Sequence, residues 1–163
     1  MERKRQVEVL VQVPAGGFVK RRSDGEIDFV APLPCPFNYG ELPGTLGGDG
    51  DPLDAVVLGP RVRRGTLVST QVYGAIAFED AGAPDLKLVC GHKPPSNLER
   101  ASVRAWFVGY GIAKGALNRL RGKSKRTRSA GWIGPDEAWA RVAQSKGRAS
   151  NAGPASVRKE TDD

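Results

Sequence analysis

Cysteine and histidine are scarce in this chain. Its 163 residues contain two cysteines, Cys35 and Cys90, and one histidine, His92. Two cysteines do not make the disulfide framework of a small secreted protein, so we expect a reducing, cytoplasmic location. Cys35 lies between two prolines, and a single histidine in the whole chain argues against a Cys/His nucleophile.

Long apolar segments are also missing. No apolar run approaches the roughly 18 residues of a membrane-spanning helix. The basic N-terminus is followed by an alternating stretch, residues 7–13, and not by the continuous apolar region of a signal peptide. We therefore expect no membrane partner. With 39% hydrophobic and 26% charged residues, the composition predicts one globular domain over residues 1–146 and a disordered polar tail over 147–163.

The net charge is +7, and much of the excess lies in residues 119–128. Such a charge raises the question of a nucleic-acid partner. The basic segment has no interleaved aromatic residues, and no helix-turn-helix, zinc-finger or RNA-recognition pattern accompanies it. A solvated basic loop is therefore the favoured interpretation, and nucleic acid is not an expected partner.

The most informative stretch is acidic and rich in glycine. Asp49, Asp51 and Asp54 fall within six residues, with glycines at 47, 48 and 50. Three ionised carboxylates so close together repel one another unless a cation neutralises them, and Mg²⁺ is the common choice. An acidic surface turn is the alternative. A calcium EF-hand is excluded, because the positions that need glycine and glutamate hold Asp54 and Pro60.

The remaining pattern is rich in strands. Strands are predicted over residues 7–13, 27–30, 55–58, 66–78 and 86–90, with strand or loop over 18–22 and a second acidic loop over 79–85. Because side chains alternate along a strand, Asp85 and Lys87 should share one face.

Two helices are expected after these strands. The first opens near residues 94–97 and carries an apolar stripe at helical spacing: Val103, Trp106, Phe107, Tyr110, Ala113 and Leu117. The second begins near residue 135, with Trp139 and Val142 facing inward.

Several motifs together resemble the soluble, magnesium-dependent inorganic pyrophosphatases built on a small closed barrel. The resemblance rests on Asn38-Tyr39-Gly40, on residues 49–58, on the second acidic loop and on the tyrosine of the first helix. It covers roughly residues 7–145, with gaps. It implies a mixed α/β, β-rich fold: a five-stranded antiparallel, OB-like closed barrel flanked by two helices.

The resemblance also implies roles for individual residues. Asp49, Asp54 and Asp85 would hold Mg²⁺, or Mn²⁺ in its place, with Asp80 assisting a further ion. Asp51 and Tyr39 are the candidate catalytic residues, Asp51 by orienting or deprotonating the attacking water. By the resemblance, Lys87, Tyr110 and also Tyr39 would contact phosphates. Lys20, Arg21 and Arg22 are further candidate phosphate-binding residues on the basis of their charge, with exposure of Arg21 and Arg22 to solvent in a hairpin as the alternative. The expected substrate is inorganic diphosphate or a related phosphorylated small molecule, and the expected assembly is a homo-oligomer.

The chain also departs from the family's pattern. Gln12 and Arg22 replace glutamates, Cys35 replaces a tyrosine, and Gly111 replaces the lysine after the helix tyrosine. A phosphate-binding arginine expected near residues 27–29 is absent. Two alternatives therefore stay open beside diphosphate hydrolysis. One is a specialised relative acting on another phosphorylated compound, with Arg21, Arg22 or Lys114 replacing the lost cations. The other is a catalytically weak binding or regulatory protein.

Overall fold

The computed structural model describes residues 5–17, 19–21, 25–30, 33–123 and 125–153. In these residues it contains eight strands and two helices. In chain order they are β1 (Gln6–Val13), β2 (Val19–Arg21), β3 (Ile27–Val30), β4 (Asn38–Glu41), β5 (Asp54–Val57), β6 (Leu67–Asp80), β7 (Ala83–Gly91), α1 (Asn97–Leu120), β8 (Arg128–Ile133) and α2 (Pro135–Ala152). Neither helix has the length and apolar character needed to cross a membrane.

Six of the strands form one sheet in the order β1-β4-β5-β7-β6-β8, and β1 also pairs with β6. Strands β2 and β3 form a separate two-stranded sheet. The expectation of a purely antiparallel sheet was wrong, because β5 and β7 run parallel. A strand's residue alternation is the same whichever direction its neighbour runs, so the sequence pattern carried no signal for this pairing.

Strands β6 and β7 are joined by a tight hairpin. The turn consists of Ala81 and Gly82, and both have positive φ angles, 48° and 82°. Such angles match the twist of a two-residue hairpin turn. The expected acidic loop over 79–85 is therefore mostly strand, which places Asp80 at the end of β6 and Asp85 within β7.

The core has two parts, one under each helix. One cluster joins alternate residues of β1, β5 and β7 to Ala138 and Val142 of α2. The other joins Val56, Ile76 and Val89 to the apolar face of α1. β1 alternates between exposed or half-buried and buried residues along its length, as expected for a strand with one face in the core.

Helix α1 follows the predicted pattern. Ser96 caps its first turn, with reciprocal hydrogen bonds between Ser96 and Glu99. The predicted stripe supplies Val103, Phe107 and Tyr110 to the core. α1 packs closely against β8 at Gly111, where an added Cβ atom would lie 3.2 Å from the Ser129 backbone nitrogen.

Helix α2 extends further than predicted. It includes residues 147–152, which we expected to belong to the polar tail. Val142 is fully buried and Trp139 packs against the core, as predicted. Residues 154–163 of the expected tail lie outside the described residues.

Candidate active site

One open cleft of about 960 Å³ brings the predicted site residues together. Strands β4, β5 and β7 supply its floor through Tyr39, Asp54 and Lys87, and helix α1 supplies a wall through Tyr110. Strand β1 pairs with β4 and passes closely over Gly40. A Cβ atom at Gly40 would lie 2.0 Å from the Leu10 carbonyl oxygen, so only glycine fits there. This explains the third residue of the Asn38-Tyr39-Gly40 motif.

The first residue of that motif has a structural role. Asn38 is fully buried, and its side-chain oxygen accepts hydrogen bonds from the amides of Ala15 and Val62. Its side-chain nitrogen donates to the carbonyls of Val57 and Pro60. Asn38 therefore ties together three chain segments beside the cleft and does not face the cleft itself.

Lys87 is the centre of the cleft floor. Its ammonium donates to Asp54 at 2.6 Å, to Asp85 at 2.8 Å and to the Tyr39 hydroxyl at 2.9 Å. Asp54 and Lys87 are direct partners in the β5–β7 register. Asp85 lies two residues before Lys87, so the expected shared face is confirmed. All three donors of the ammonium are thus used.

The pKa values reflect this burial. Burial alone would lower the pKa of Lys87, but the charges of Asp54 and Asp85 raise it well above its ordinary value. Burial opposes ionisation of Asp54, yet the Lys87 charge holds its pKa below the ordinary value. Burial raises the pKa of Asp85, and the neighbouring Asp54 charge adds to this. Burial also raises the pKa of Tyr39. The floor therefore presents a charged lysine, one firmly ionised carboxylate and a neutral phenol.

The acidic loop between β4 and β5 forms the exposed rim of the cleft. Asp49 accepts a hydrogen bond from the Asp51 amide, and Gly50 has a φ of 87°, which suits glycine. The Leu46 amide donates to the Ser145 carbonyl and so anchors the loop to α2. Both aspartate side chains line the cleft and are exposed, unlike Asp54.

A second charged group lies where β6, α1 and the segment before β8 meet. Asp80 accepts hydrogen bonds from Lys114 at 2.6 Å and from Asn118 at 3.2 Å. Burial opposes ionisation of Asp80, but the hydrogen bond and charge of Lys114, together with the Asn118 hydrogen bond, outweigh it and lower the pKa of Asp80. Asn118 also donates to Thr127 at 3.0 Å. Asp80 therefore lines the same cleft as Asp54 but is held by a different lysine.

Aromatic residues close the wall above these charges. Tyr110 stacks on Trp106 with ring centroids 4.9 Å apart and contacts Phe78 at 5.7 Å. Burial raises the pKa of Tyr110, so its hydroxyl stays protonated at neutral pH. A protonated hydroxyl beside Lys114 and Lys87 can donate a hydrogen bond to an anion.

The predicted cationic residues are placed less uniformly. Lys20 lines the cleft, and its charge contributes to the lowered pKa of Asp54. Arg21 also lines the cleft, although its side chain donates to the Gly25 carbonyl at 3.0 Å. Arg22 lies outside the described residues, so its role in phosphate binding stays a prediction.

The donor set fits a hard divalent cation in its chemistry. Aspartate oxygens surround the cleft, and Gln12 adds a buried side-chain oxygen that has no hydrogen-bond partner among the described residues. However, no three acidic, histidine or cysteine side chains within the described ranges are grouped closely enough to hold an ion. The reason is visible at Asp54 and Asp85, where the Lys87 ammonium lies between the two carboxylates.

Sequence reasoning missed two features of this site. Glu41 lines the cleft beside Asp54, its direct partner across the β4–β5 pair. Its two-residue spacing from Tyr39 was the signal that could have found it. Asp80 was expected to contact a metal, and nothing in the sequence indicated that both its oxygens accept protein hydrogen bonds.

Comparison with known proteins points to one family. The model of the family described as inorganic pyrophosphatase matches residues 21–149. The inorganic pyrophosphatase of Aeropyrum pernix is 35% identical over 127 residues, which are 73% of this chain and 68% of that protein. The enzyme of that name from Gluconobacter oxydans is 35% identical over 52% of this chain. That match covers 53% of the relative, so the chain spans about half of its length.

Solved structures agree with the sequence matches. The crystal structure of inorganic pyrophosphatase from Thermus thermophilus superimposes with a TM-score of 0.72 at 26% identity. It covers 92% of this chain and 94% of that one. The mixed α/β, β-rich fold with two helices is therefore shared with that protein.

Proposed function

The chain belongs to the inorganic pyrophosphatase family, and we propose that it hydrolyses inorganic diphosphate to two phosphates. One observation carries the proposal. A single cleft holds the Asp49–Asp51 rim and the network of Lys87 with Asp54 and Asp85. Carboxylates for a divalent cation thus lie next to lysines for an anion, which is the charge pattern that phosphoryl transfer needs.

Magnesium is the cofactor we propose, with manganese as the alternative. We propose Asp49, Asp54 and Asp85 as its ligands, although these carboxylates would have to move closer together to hold it, because Lys87 lies between Asp54 and Asp85. Asp80 remains a predicted ligand for a further ion. When bound, such a metal neutralises phosphate charge and makes a bound water more acidic. Glu41 and the Gln12 oxygen are additional oxygen donors in the same cleft.

The chain's own residues supply substrate binding and proton transfer. Lys87 and Lys20 carry positive charge into the cleft. Lys20 would bind phosphate oxygens, and Lys87 would do so by exchanging one of its three present partners. The neutral hydroxyls of Tyr39 and Tyr110 would donate hydrogen bonds to them. Asp51 lies at the exposed rim, where a water can approach its carboxylate, and we propose that it orients this water and accepts its proton.

Two structural expectations belong to the same proposal. The extra β1–β6 pairing supports a closed, OB-like barrel of β1, β4, β5, β7 and β6, with β8 added at its side. Residues 1–146 as one domain, homo-oligomer formation and a cytoplasmic location stay predictions from the sequence.

A phosphate-release assay tests the function. We expect Mg²⁺-dependent release of phosphate from inorganic diphosphate. Asp51→Asn should lower turnover by on the order of 100-fold, since a general base contributes about that much. Its magnesium-induced stabilisation should survive. Asp136→Asn is the matched control, because that carboxylate is 90% exposed and pairs with Arg5 outside the cleft.

The same assay decides between the open alternatives. A panel of organic diphosphates run beside inorganic diphosphate would reveal a specialised relative by a faster organic substrate. If no compound is hydrolysed with Mg²⁺ or Mn²⁺, the proposed activity is wrong and a binding role takes its place.

A further inference from the structure

Lys114 is a charged residue of the cleft wall, described above only as the partner of Asp80. It lies one turn after Tyr110 on α1, and its side chain is 16% exposed. Its ammonium is 5.6 Å from the centroid of the Tyr110 ring and 2.6 Å from Asp80. Tyr110, Asp80 and Lys114 all line the same cleft as Lys87.

The packing of α1 explains why a cation lies at this position and not three residues earlier. Gly111 is buried against β8, where a Cβ atom would approach the Ser129 nitrogen at 3.2 Å and the Arg128 Cα at 3.3 Å. Both neighbours are backbone, which cannot move aside as a flexible side chain can. A long side chain at 111 is therefore disfavoured. The side chain at position 114, on the same side of the helix as Tyr110, lines the cleft instead.

The carboxylate that contacts Lys114 is itself held in place. Asn118 is 3% exposed and donates to the second oxygen of Asp80. It also donates to Thr127, which accepts the Ala81 amide at the β6–β7 turn. Asp80 is thus fixed by residues behind it. A fixed carboxylate restricts the lysine to one region of the cleft, which lowers the entropy lost when a ligand binds.

We propose that Lys114 binds a phosphate group of the substrate and that Asp80, in place of its predicted role as a ligand of a further ion, is the residue that positions Lys114. This inference rests on the proposed function and names a further substrate-binding residue for it. A doubly charged phosphate group competes well for an ammonium that already faces it, because charge-assisted hydrogen bonds are the strong ones. The cation lost at Gly111 is then replaced from the next turn of the same helix.

Binding of a non-hydrolysable diphosphate tests the proposal. Methylenediphosphonate is titrated calorimetrically into the full chain at fixed Mg²⁺ concentration. Lys114→Met should weaken binding by about 10- to 100-fold, the expected effect of losing a hydrogen bond to a charged group. In hydrolysis, the KM for diphosphate should rise by a similar factor, with a smaller change in kcat. Lys114→Arg should recover part of the affinity.

Lys146→Met is the matched control. Lys146 also lies over an aromatic ring, 5.8 Å from the Trp139 centroid, but on α2 and outside this cleft. The Lys146→Met variant should bind methylenediphosphonate with the same affinity as the unmodified protein. Asp80→Asn should weaken binding less than Lys114→Met, because it leaves the ammonium present but less well oriented.

Two results would overturn the inference, and a third would separate it from the proposed function. Unchanged analogue affinity in Lys114→Met overturns it. Tighter Mg²⁺ binding by this variant at unchanged analogue affinity also overturns it and shows that Lys114 substitutes for a metal at Asp80. A Lys114-dependent affinity in a protein that hydrolyses no diphosphate supports the inference and refutes the proposed function. Should Lys114→Met fail to fold, Lys114→Gln in the same titration gives the answer.

Discussion

Replacing Lys87 with methionine is the sharpest test of the cleft's electrostatics. Lys87 is 4% exposed and makes ion pairs with Asp54 and Asp85, whose side chains are 18% and 15% exposed. Methionine keeps most of the side-chain volume and removes the charge. Two carboxylates then face each other in a site with little water, and no cation of the protein lies between them.

The expected loss is large for one substitution. Removing one partner of a buried ion pair costs about 3–5 kcal/mol, because the remaining charge is left uncompensated. For a chain of this size, 1 kcal/mol corresponds to roughly 2–4 °C, so the melting temperature should fall by about 10 °C or more. Millimolar Mg²⁺ should restore more stability to the variant than it adds to the unmodified protein, since it neutralises the same two carboxylates.

The sign of the pH dependence follows from the same reasoning. Without Lys87, burial and mutual repulsion raise the pKa of both Asp54 and Asp85 in the folded state. Carboxylates with a raised folded-state pKa destabilise the fold at pH values above that pKa. The loss in unfolding free energy caused by Lys87→Met should therefore shrink as the pH falls through the raised pKa of the two carboxylates.

Urea unfolding measured with a chelator, and again with Mg²⁺, provides the assay. Lys146→Met is the control, because that ammonium is exposed on α2. A loss below about 1 kcal/mol in Lys87→Met, the range of exposed ion pairs, would refute the reasoning. So would equal magnesium stabilisation of the variant and the unmodified protein.

Two further predictions concern neighbouring groups. Asp54 has a folded-state pKa below its ordinary value of 3.8, so its contribution to stability is present above that value and is lost as the pH falls through the folded-state pKa. Asp54→Asn should therefore flatten the acid side of a plot of melting temperature against pH, and an unaltered acid side would contradict the lowered pKa. Gln12→Glu places a charge where a buried oxygen has no partner among the described residues, so it should cost at least about 1 kcal/mol without metal. Mg²⁺ should recover that loss and bind more tightly than to the unmodified protein, as measured by calorimetry; equal affinity would place Gln12 outside the metal's reach.

Local patterns predicted much of the fold. The alternation of residues 7–13 predicted β1, because a strand with one buried face requires it. The start of α1 was predicted near residues 94–97, since helix capping depends on residues close together in the chain, here Ser96 and Glu99. The stripe of α1 likewise followed from helical spacing. Each of these signals acts within a few residues, so the sequence alone was sufficient.

The length of α2 shows the limit of composition. Residues 147–152 are polar and were expected to be disordered, yet they continue the helix. Val142 of α2 is buried in the core, Ser145 is buried beside the acidic loop, and this packing supports the turns that follow. Tertiary packing stabilises a helix more than its own residue propensities do, which a polar composition cannot reveal.

The sequence by itself determined which residues form the acidic site. The crowding of Asp49, Asp51 and Asp54 predicts a cation partner, because ionised carboxylates so close together repel one another in any fold. The two-residue spacing of Asp85 and Lys87 placed both on one face. These conclusions follow from charge repulsion and strand geometry, which depend only on near neighbours in the chain.

Only the tertiary structure decided which cation each carboxylate meets. The parallel β5–β7 pair places Lys87 beside Asp54, although 33 residues separate them. The close approach of α1 and β8 at Gly111 leaves position 114 to reach Asp80. Pairings of this kind depend on how distant segments pack, because a hydrogen-bonded ion pair forms only when its atoms come within a few ångströms, and its attraction is stronger in a site shielded from water. That distance is set by the whole fold and by no local pattern.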